Sequence, residues 1–147
     1  MQPDEGTVIS RILEGRTIAV VGLSKDPTKA SHGVAKYLKT QGYRIVPVNP
    51  TINEVLGAKS YKSLTDIPDD LKRELDVVDI FRRSDDIPPI VDEAVEIHRR
   101  FGRPTSIWMQ LGIVNAAAAQ KATAEGLDVV MDRCMMVEHA ARAKRPL

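Results

Sequence analysis

A chain of 147 residues is long enough to bury a core without disulfides or a bound metal, and one domain over residues 1–147 is expected. Its 21 Lys and Arg against 20 Asp and Glu leave a formal charge of +1, which excludes a general attraction to nucleic acid or to an anionic membrane, so any anion must be captured locally. The single cysteine, Cys134, excludes an intramolecular disulfide and fits a reducing, cytoplasmic setting.

The first stretch, "MQPDEGTVISRILEG", lacks the basic start and continuous apolar run of a signal peptide and reads as an N-terminal helix over residues 1–15. Five apolar runs of strand length follow: Thr17 to Leu23, Arg44 to Val48, Leu75 to Phe81, Ser106 to Leu111 and Asp128 to Met131. They alternate with helical segments, the pattern of βαβ units around a parallel sheet covered on both faces. Ser31 is placed to cap a helix carrying Val34, Ala35 and Leu38, which Gly42 stops. Pro88 and Pro89 suit the start of a helix ended by Gly102. Asn115 caps "AAAAQKATAE", closed by Gly126, and a last helix runs from about Cys134 to Ala143. Between the second and third strands, "NPTINEVLGAKSYKSLTDIPDD" shows no clear helix, and is either a long irregular connection or a helix of weak pattern. The fold class is therefore α/β, a Rossmann-like doubly wound sheet of five parallel strands. Right-handed crossovers suggest the order 3-2-1-4-5, with ligands at the reversal between strands one and four.

The turn after strand one, "GLSKDPTK", enters a helix, and helix N-termini offer unpaired N–H groups to anions. It departs from a dinucleotide fingerprint: Ser24 replaces a glycine, Pro27 removes a donor, and Lys25 and Lys29 add positive charge. The exit of strand two, Val48, Asn49 and Pro50, has no carboxylate for ribose hydroxyls, which disfavours NAD. The lysines either hold phosphate or are solvated. Arg82 and Arg83 stand before a helix start, where one of the pair should face inward; either can instead pair with Asp85, Asp86 or Asp92. Trp108 is expected to be covered, with Gln110 on the same side reaching toward the crevice.

Nothing in the sequence matches a catalytic or metal motif. Cys134 and His139 are five apart on one helix, a poor spacing for a nucleophile and base, and His32 and His98 have no partner at metal-ligand spacing. No catalytic residue and no metal are expected.

The strings "VVGLS", "GVAKYL", "GYRIVPVNP", "VDIFRRSDDIPPIVDEA", "IWMQLGI" and "VVMDRC", in that order, resemble the small stand-alone CoA-binding proteins related to the CoA-binding domain of the succinyl-CoA synthetase alpha subunit. The likeness runs from about Thr17 to Arg142. It implies a nucleotide-binding domain for coenzyme A or an acyl-CoA. The strand-one turn at Gly22, Leu23, Ser24 and Lys25 would touch the ligand, Lys29 and Ser31 would lie close by, and Val48, Asn49 and Pro50 would flank the nucleotide, with Gln110 on the other side. Contacts from Arg82 and Arg83 are inferred from their charge. The synthetase keeps its phosphorylated histidine in a further domain, so its reaction is not expected of these residues. The leading expectation is a CoA-binding carrier, sensor or partner of an acyl-CoA enzyme without chemistry of its own. The alternatives are a small NAD(P)-dependent or acyl-transfer enzyme using the same crevice, and an interaction module with an empty one. Lys25 and Lys29 are expected to serve the CoA phosphates, including the 3′-phosphate that NAD lacks.

Overall fold

The structure is a computed structural model and describes residues 3–143. Helix α1 (Glu5–Leu13) begins where the Asp4 carboxylate accepts the Thr7 N–H at 2.7 Å, and turns Ile9 and Ile12 inward. The parallel sheet consists of β1 (Thr17–Val21), β2 (Arg44–Val48), β5 (Val77–Ile80), β6 (Ser106–Met109) and β7 (Asp128–Val130). Every residue of β1, β5 and β6 is buried, which is why these strands read as unbroken runs. The strands are shorter than the apolar runs because pairing stops early: Val21 is the last residue of β1 in register with β2 and β5, and Gly22 leaves at φ +87°.

One face of the sheet is covered by α1, α2 (Ala30–Thr40) and α6 (Met135–Ala143), which pack Ile9, Val34, Leu38 and Met135 on Ile18, Val20 and Trp108. The other is covered by α4 (Ile87–Phe101) and α5 (Ala116–Ala124), with Val91, Val95 and Ala118 over Ala19, Val78 and Ile107. Gly102 ends α4 at φ +75°, and the Asn115 side chain accepts the Ala118 N–H at 3.0 Å, as their positions predict. No helix is long and apolar enough to cross a membrane, among the described residues.

The five parallel strands and two helical layers match the expected fold class; the strand order does not. It is β2-β1-β5-β6-β7, so the third parallel strand lies beside the first, not outside the second. Both orders obey right-handed crossover, and handedness could not choose between them. The connection after β2 decides. It contains a two-residue hairpin, β3 (Glu54–Val55) with β4 (Ala58–Lys59), a 3₁₀ turn at Leu64–Asp66 and the single-turn α3 (Asp69–Lys72). Leu64, Ile67 and Leu75 pack against Val46, Val48 and Val21, on the face opposite α2. A chain that crosses to that face moves back past β2 and inserts its next strand beside β1. The reversal therefore falls between β1 and β5.

Asp76, just before β5, locks this arrangement. Its carboxylate accepts the N–H groups of Arg16 and Thr17 at 2.7 and 3.0 Å and the Arg103 guanidinium at 2.5 Å, tying together the starts of β1, β5 and β6. Hydrogen bonds to a charged acceptor contribute about 1.5–3 kcal/mol each, so Asp76→Ala is expected to lower stability by about 2 kcal/mol after partial rehydration of the donors. Urea unfolding measures this; a change below about 0.5 kcal/mol would show that water replaces the carboxylate without loss.

Candidate functional site

The reversal between β1 and β5 places the crevice over the exits of these two strands. Gly22 makes the turn there. Its N–H donates to Val48 O at 2.8 Å, and a Cβ at this position would lie 2.4 Å from Phe81 O and 3.3 Å from Arg82 Nε. Leu23 is buried, and its carbonyl accepts the Asn49 side-chain N–H at 3.0 Å. Asn49 Oδ1 accepts from both the N–H and the hydroxyl of Thr51, so this side chain braces the exits of β1 and β2 against each other.

The rest of the turn is held by its own side chains. The Ser24 N–H donates to Ser31 Oγ at 2.9 Å, and Ser24 Oγ accepts the Asp26 N–H at 3.0 Å. Ser31 does not cap α2: the N-cap is Lys29, in extended conformation, and Ser31 lies buried within the first turn. Its hydroxyl is drawn inward by the Ser24 N–H. Asp26 accepts the Thr28 N–H and hydroxyl at 2.9 and 2.8 Å, and these bonds hold its carboxyl below the ordinary range, so it stays ionised. Among the described residues the N–H groups of Lys25, Ala30 and Ser31 have no acceptor, and the exposed Lys25 and Lys29 form no ion pair. The turn thus presents free donors and two cations to solvent.

The adjacent arginines divide as their spacing predicts. Arg83 is 89% exposed and lies 3.7 Å from Asp86, whereas Arg82 is half-buried against Gly22 and forms no ion pair. Arg82 also lines a cavity of about 160 Å³ with Val48, Pro50, Lys62, Ser63 and Glu93. Lys62, Ser63 and Glu93 have no counterpart in the sequence reading. The connection bearing the first two shows no periodicity, and only its bridge to β2, where the Asn49 N–H donates to Tyr61 O at 2.8 Å, brings them to the crevice. A larger depression, about 560 Å³, runs along α1 to Arg142, but its cations are already paired, Arg11 with Asp128 and Arg142 with Glu138.

Gln110 stands apart from this group. It is buried, and its Oε1 accepts the Met135 N–H at 3.1 Å, which fixes the start of α6; with the reversal beside β5, the exit of β6 is no longer its edge. Trp108 is fully covered, and its indole N–H donates to Arg133 O at 2.8 Å. His139 Nδ1 is bonded to the Tyr37 hydroxyl at 2.8 Å, and His98 Nδ1 to Pro104 O at 2.8 Å. Cys134 is half-buried before α6.

A family model for a CoA binding domain matches residues 16–140. The chain belongs to the CoA-binding-domain family. Within reach of this family, the uncharacterized protein YneT of Bacillus subtilis is 40% identical over 141 residues, covering 95% of this chain and 98% of that one. The alpha subunit of ADP-forming acetate–CoA ligase II of Pyrococcus furiosus is 45% identical over 64 residues, which are 43% of this chain and 14% of the ligase subunit. Among solved structures, a Thermus thermophilus protein superimposes with a TM-score of 0.82 at 33% identity, covering 95% of this chain and 98% of that one. The CoA-binding-domain match spans β1 to α6 and so includes every residue of the crevice described above.

Proposed function

We propose that the chain is a single CoA-binding domain that holds coenzyme A or an acyl-CoA across the exits of β1, β2 and β5, acting without chemistry of its own as a carrier, sensor or partner of an acyl-CoA enzyme in the cytoplasm. The observation that carries the reading is the turn from Gly22 to Ser31. It combines unpaired N–H donors, two exposed lysines that form no salt bridge, although the Asp26 carboxylate lies in the field of Lys29, and a helix N-terminus at the reversal of the sheet, in a family whose model is that of a CoA binding domain. The exit of β2 argues against NAD, because Asn49 stands where a carboxylate would receive the ribose hydroxyls and is already committed to Leu23 and Thr51. Gly22, Leu23, Ser24 and Lys25 would follow the phosphates, with Lys29 and Ser31 at the helix start and Val48 and Pro50 beside the nucleotide.

Titration calorimetry with CoA, acetyl-CoA, NAD and ATP side by side tests this reading. Saturable binding of CoA and acetyl-CoA, with NAD at least tenfold weaker, is expected; equal affinity for NAD would overturn it. Each exposed charge contact contributes about 0.3–1 kcal/mol and is screened by salt, so Lys25→Ala combined with Lys29→Ala should weaken CoA several-fold at low salt. Unchanged affinity with an intact circular dichroism spectrum would make both residues ordinary solvated lysines.

A further inference from the structure

Two cations without carboxylate partners face the same small cavity on the side of β1 opposite α2, and the sequence connects neither to the other. Arg82 is half-buried, and its Nε is the side-chain atom that a Cβ at Gly22 would approach, so the guanidinium is set against the phosphate turn. Lys62 is exposed at the rim. Its backbone is fixed by the preceding Tyr61, whose N–H donates to Pro47 O at 3.0 Å and whose carbonyl accepts from Asn49. The acids nearby are engaged elsewhere: Glu93 accepts the Thr65 N–H and hydroxyl at 3.1 and 2.8 Å, and Asp66 accepts the Ser63 hydroxyl at 3.0 Å. Between the cations lies an apolar floor of Val21, Val48, Leu64 and Ile90.

We propose that this cavity receives the adenosine 3′-phosphate end of the ligand, with the adenine on the apolar floor and the 3′-phosphate shared between Lys62 and Arg82. The inference rests on the CoA reading and gives the lysines of the turn a narrower task than the sequence suggested. At about 160 Å³ the cavity has room for one heterocycle with little else, so the pantetheine arm must lie outside it. Adenine and the 3′-phosphate are substituents of the same ribose, and a base seated on the floor keeps the phosphate at the rim. A phosphomonoester carries between one and a half and two negative charges at neutral pH, as its second pKa is about 6. Each phosphate of the diphosphate bridge carries a single one. The more highly charged group therefore belongs where a guanidinium, able to bind two oxygens at once, meets an ammonium beside a low-dielectric surface. Lys25 and Lys29, on the open turn beside the free N–H groups, then serve the bridge. Glu93 retains one carboxylate oxygen as an acceptor for the amino group of a purine.

Calorimetry with CoA and dephospho-CoA on four proteins tests the assignment: the parent, Lys62→Ala, Arg82→Gln, and Lys25→Ala with Lys29→Ala. The parent should prefer CoA over dephospho-CoA by about tenfold, as expected for a desolvated charge-assisted contact. That preference should fall toward unity in Lys62→Ala and Arg82→Gln, return in part in Arg82→Lys, and survive in the turn double variant, which should weaken both ligands alike. A preference that persists in Lys62→Ala and Arg82→Gln, or that collapses in the turn variant instead, overturns the assignment while leaving the CoA reading intact. A parent that binds neither ligand removes the CoA reading itself. Thermal unfolding of each variant separates loss of fold from loss of contact.

Discussion

Asp79→Val is expected to raise stability at pH 8 by about 3 kcal/mol and to flatten the dependence of stability on pH, because it removes a buried polar group that has no partner. Asp79 stands in the middle of the sheet, in register with Val20 on β1 and Trp108 on β6, and both of its carboxyl oxygens are fully enclosed without a hydrogen bond. Burial, with no hydrogen bond to the carboxylate, drives its pKa well above the ordinary carboxylate range. The folded protein therefore holds a neutral acid, whereas the unfolded chain ionises near its ordinary value of 3.8. Below that value both states are protonated and the group adds no pH dependence. As pH rises above it, the unfolded state alone releases the proton, and stability falls by about 1.4 kcal/mol per pH unit until the raised folded pKa is reached. Valine is apolar, suits a strand and does not titrate. Urea unfolding at pH 5 and pH 8 should show the parent losing stability between the two, the Asp79→Val variant losing much less, and Asp79→Asn losing the slope while regaining less stability. Parallel pH profiles for parent and Val variant would mean that the carboxyl has a charge partner in the folded protein.

The strands were legible because a parallel sheet covered on both faces needs unbroken apolar runs, and glycine, proline or asparagine marks the ends of most helices. Their order was not. Two arrangements satisfy right-handed crossover, and only the burial of Leu64, Ile67 and Leu75 on the face opposite α2 selects one. That single ambiguity carried through to the site. An order with strand four beside strand one draws attention to Gln110, whose side chain in fact holds the Met135 N–H, and it leaves Arg82 without a defined neighbour. With β5 beside β1, Arg82 meets Gly22 and the cavity with Lys62 appears. The turn itself was readable because its chemistry is local: a glycine at positive φ, short side chains that satisfy the backbone, and a helix start. Lys62 was not, since its place depends on a connection without periodicity. Asp79 was hidden by its surroundings, an acid inside a run that reads as a strand interior.

Gly22→Ala is expected to lower stability by about 3 kcal/mol and to weaken CoA at least tenfold, whereas Gly33→Ala should raise stability by about 0.5–1 kcal/mol. The two glycines lie 11 positions apart, one in the turn and one in α2, and differ in what surrounds them. Around Gly33 no atom lies within 4 Å of an added Cβ, so alanine only improves helix propensity. At Gly22 the backbone has φ +87°, and the added Cβ would meet Phe81 O at 2.4 Å. That oxygen belongs to the backbone at the exit of β5, one residue beyond Ile80, and the N–H of the same residue donates to Val21 O at 2.8 Å. Relief by rotating a flexible side chain is therefore not available. Either β5 shifts at its exit, breaking its last bond to β1 and displacing Arg82, or the turn opens and Gly22 loses its bond to Val48. Both routes disturb the cations on the two sides of the turn, so binding should fall together with stability. Unfolding curves and CoA titrations on the two variants decide it. A Gly22→Ala protein as stable as its parent would show that the exits of β1 and β5 can part without loss, and with that the close approach of Arg82 to the turn would no longer be a built feature of the crevice.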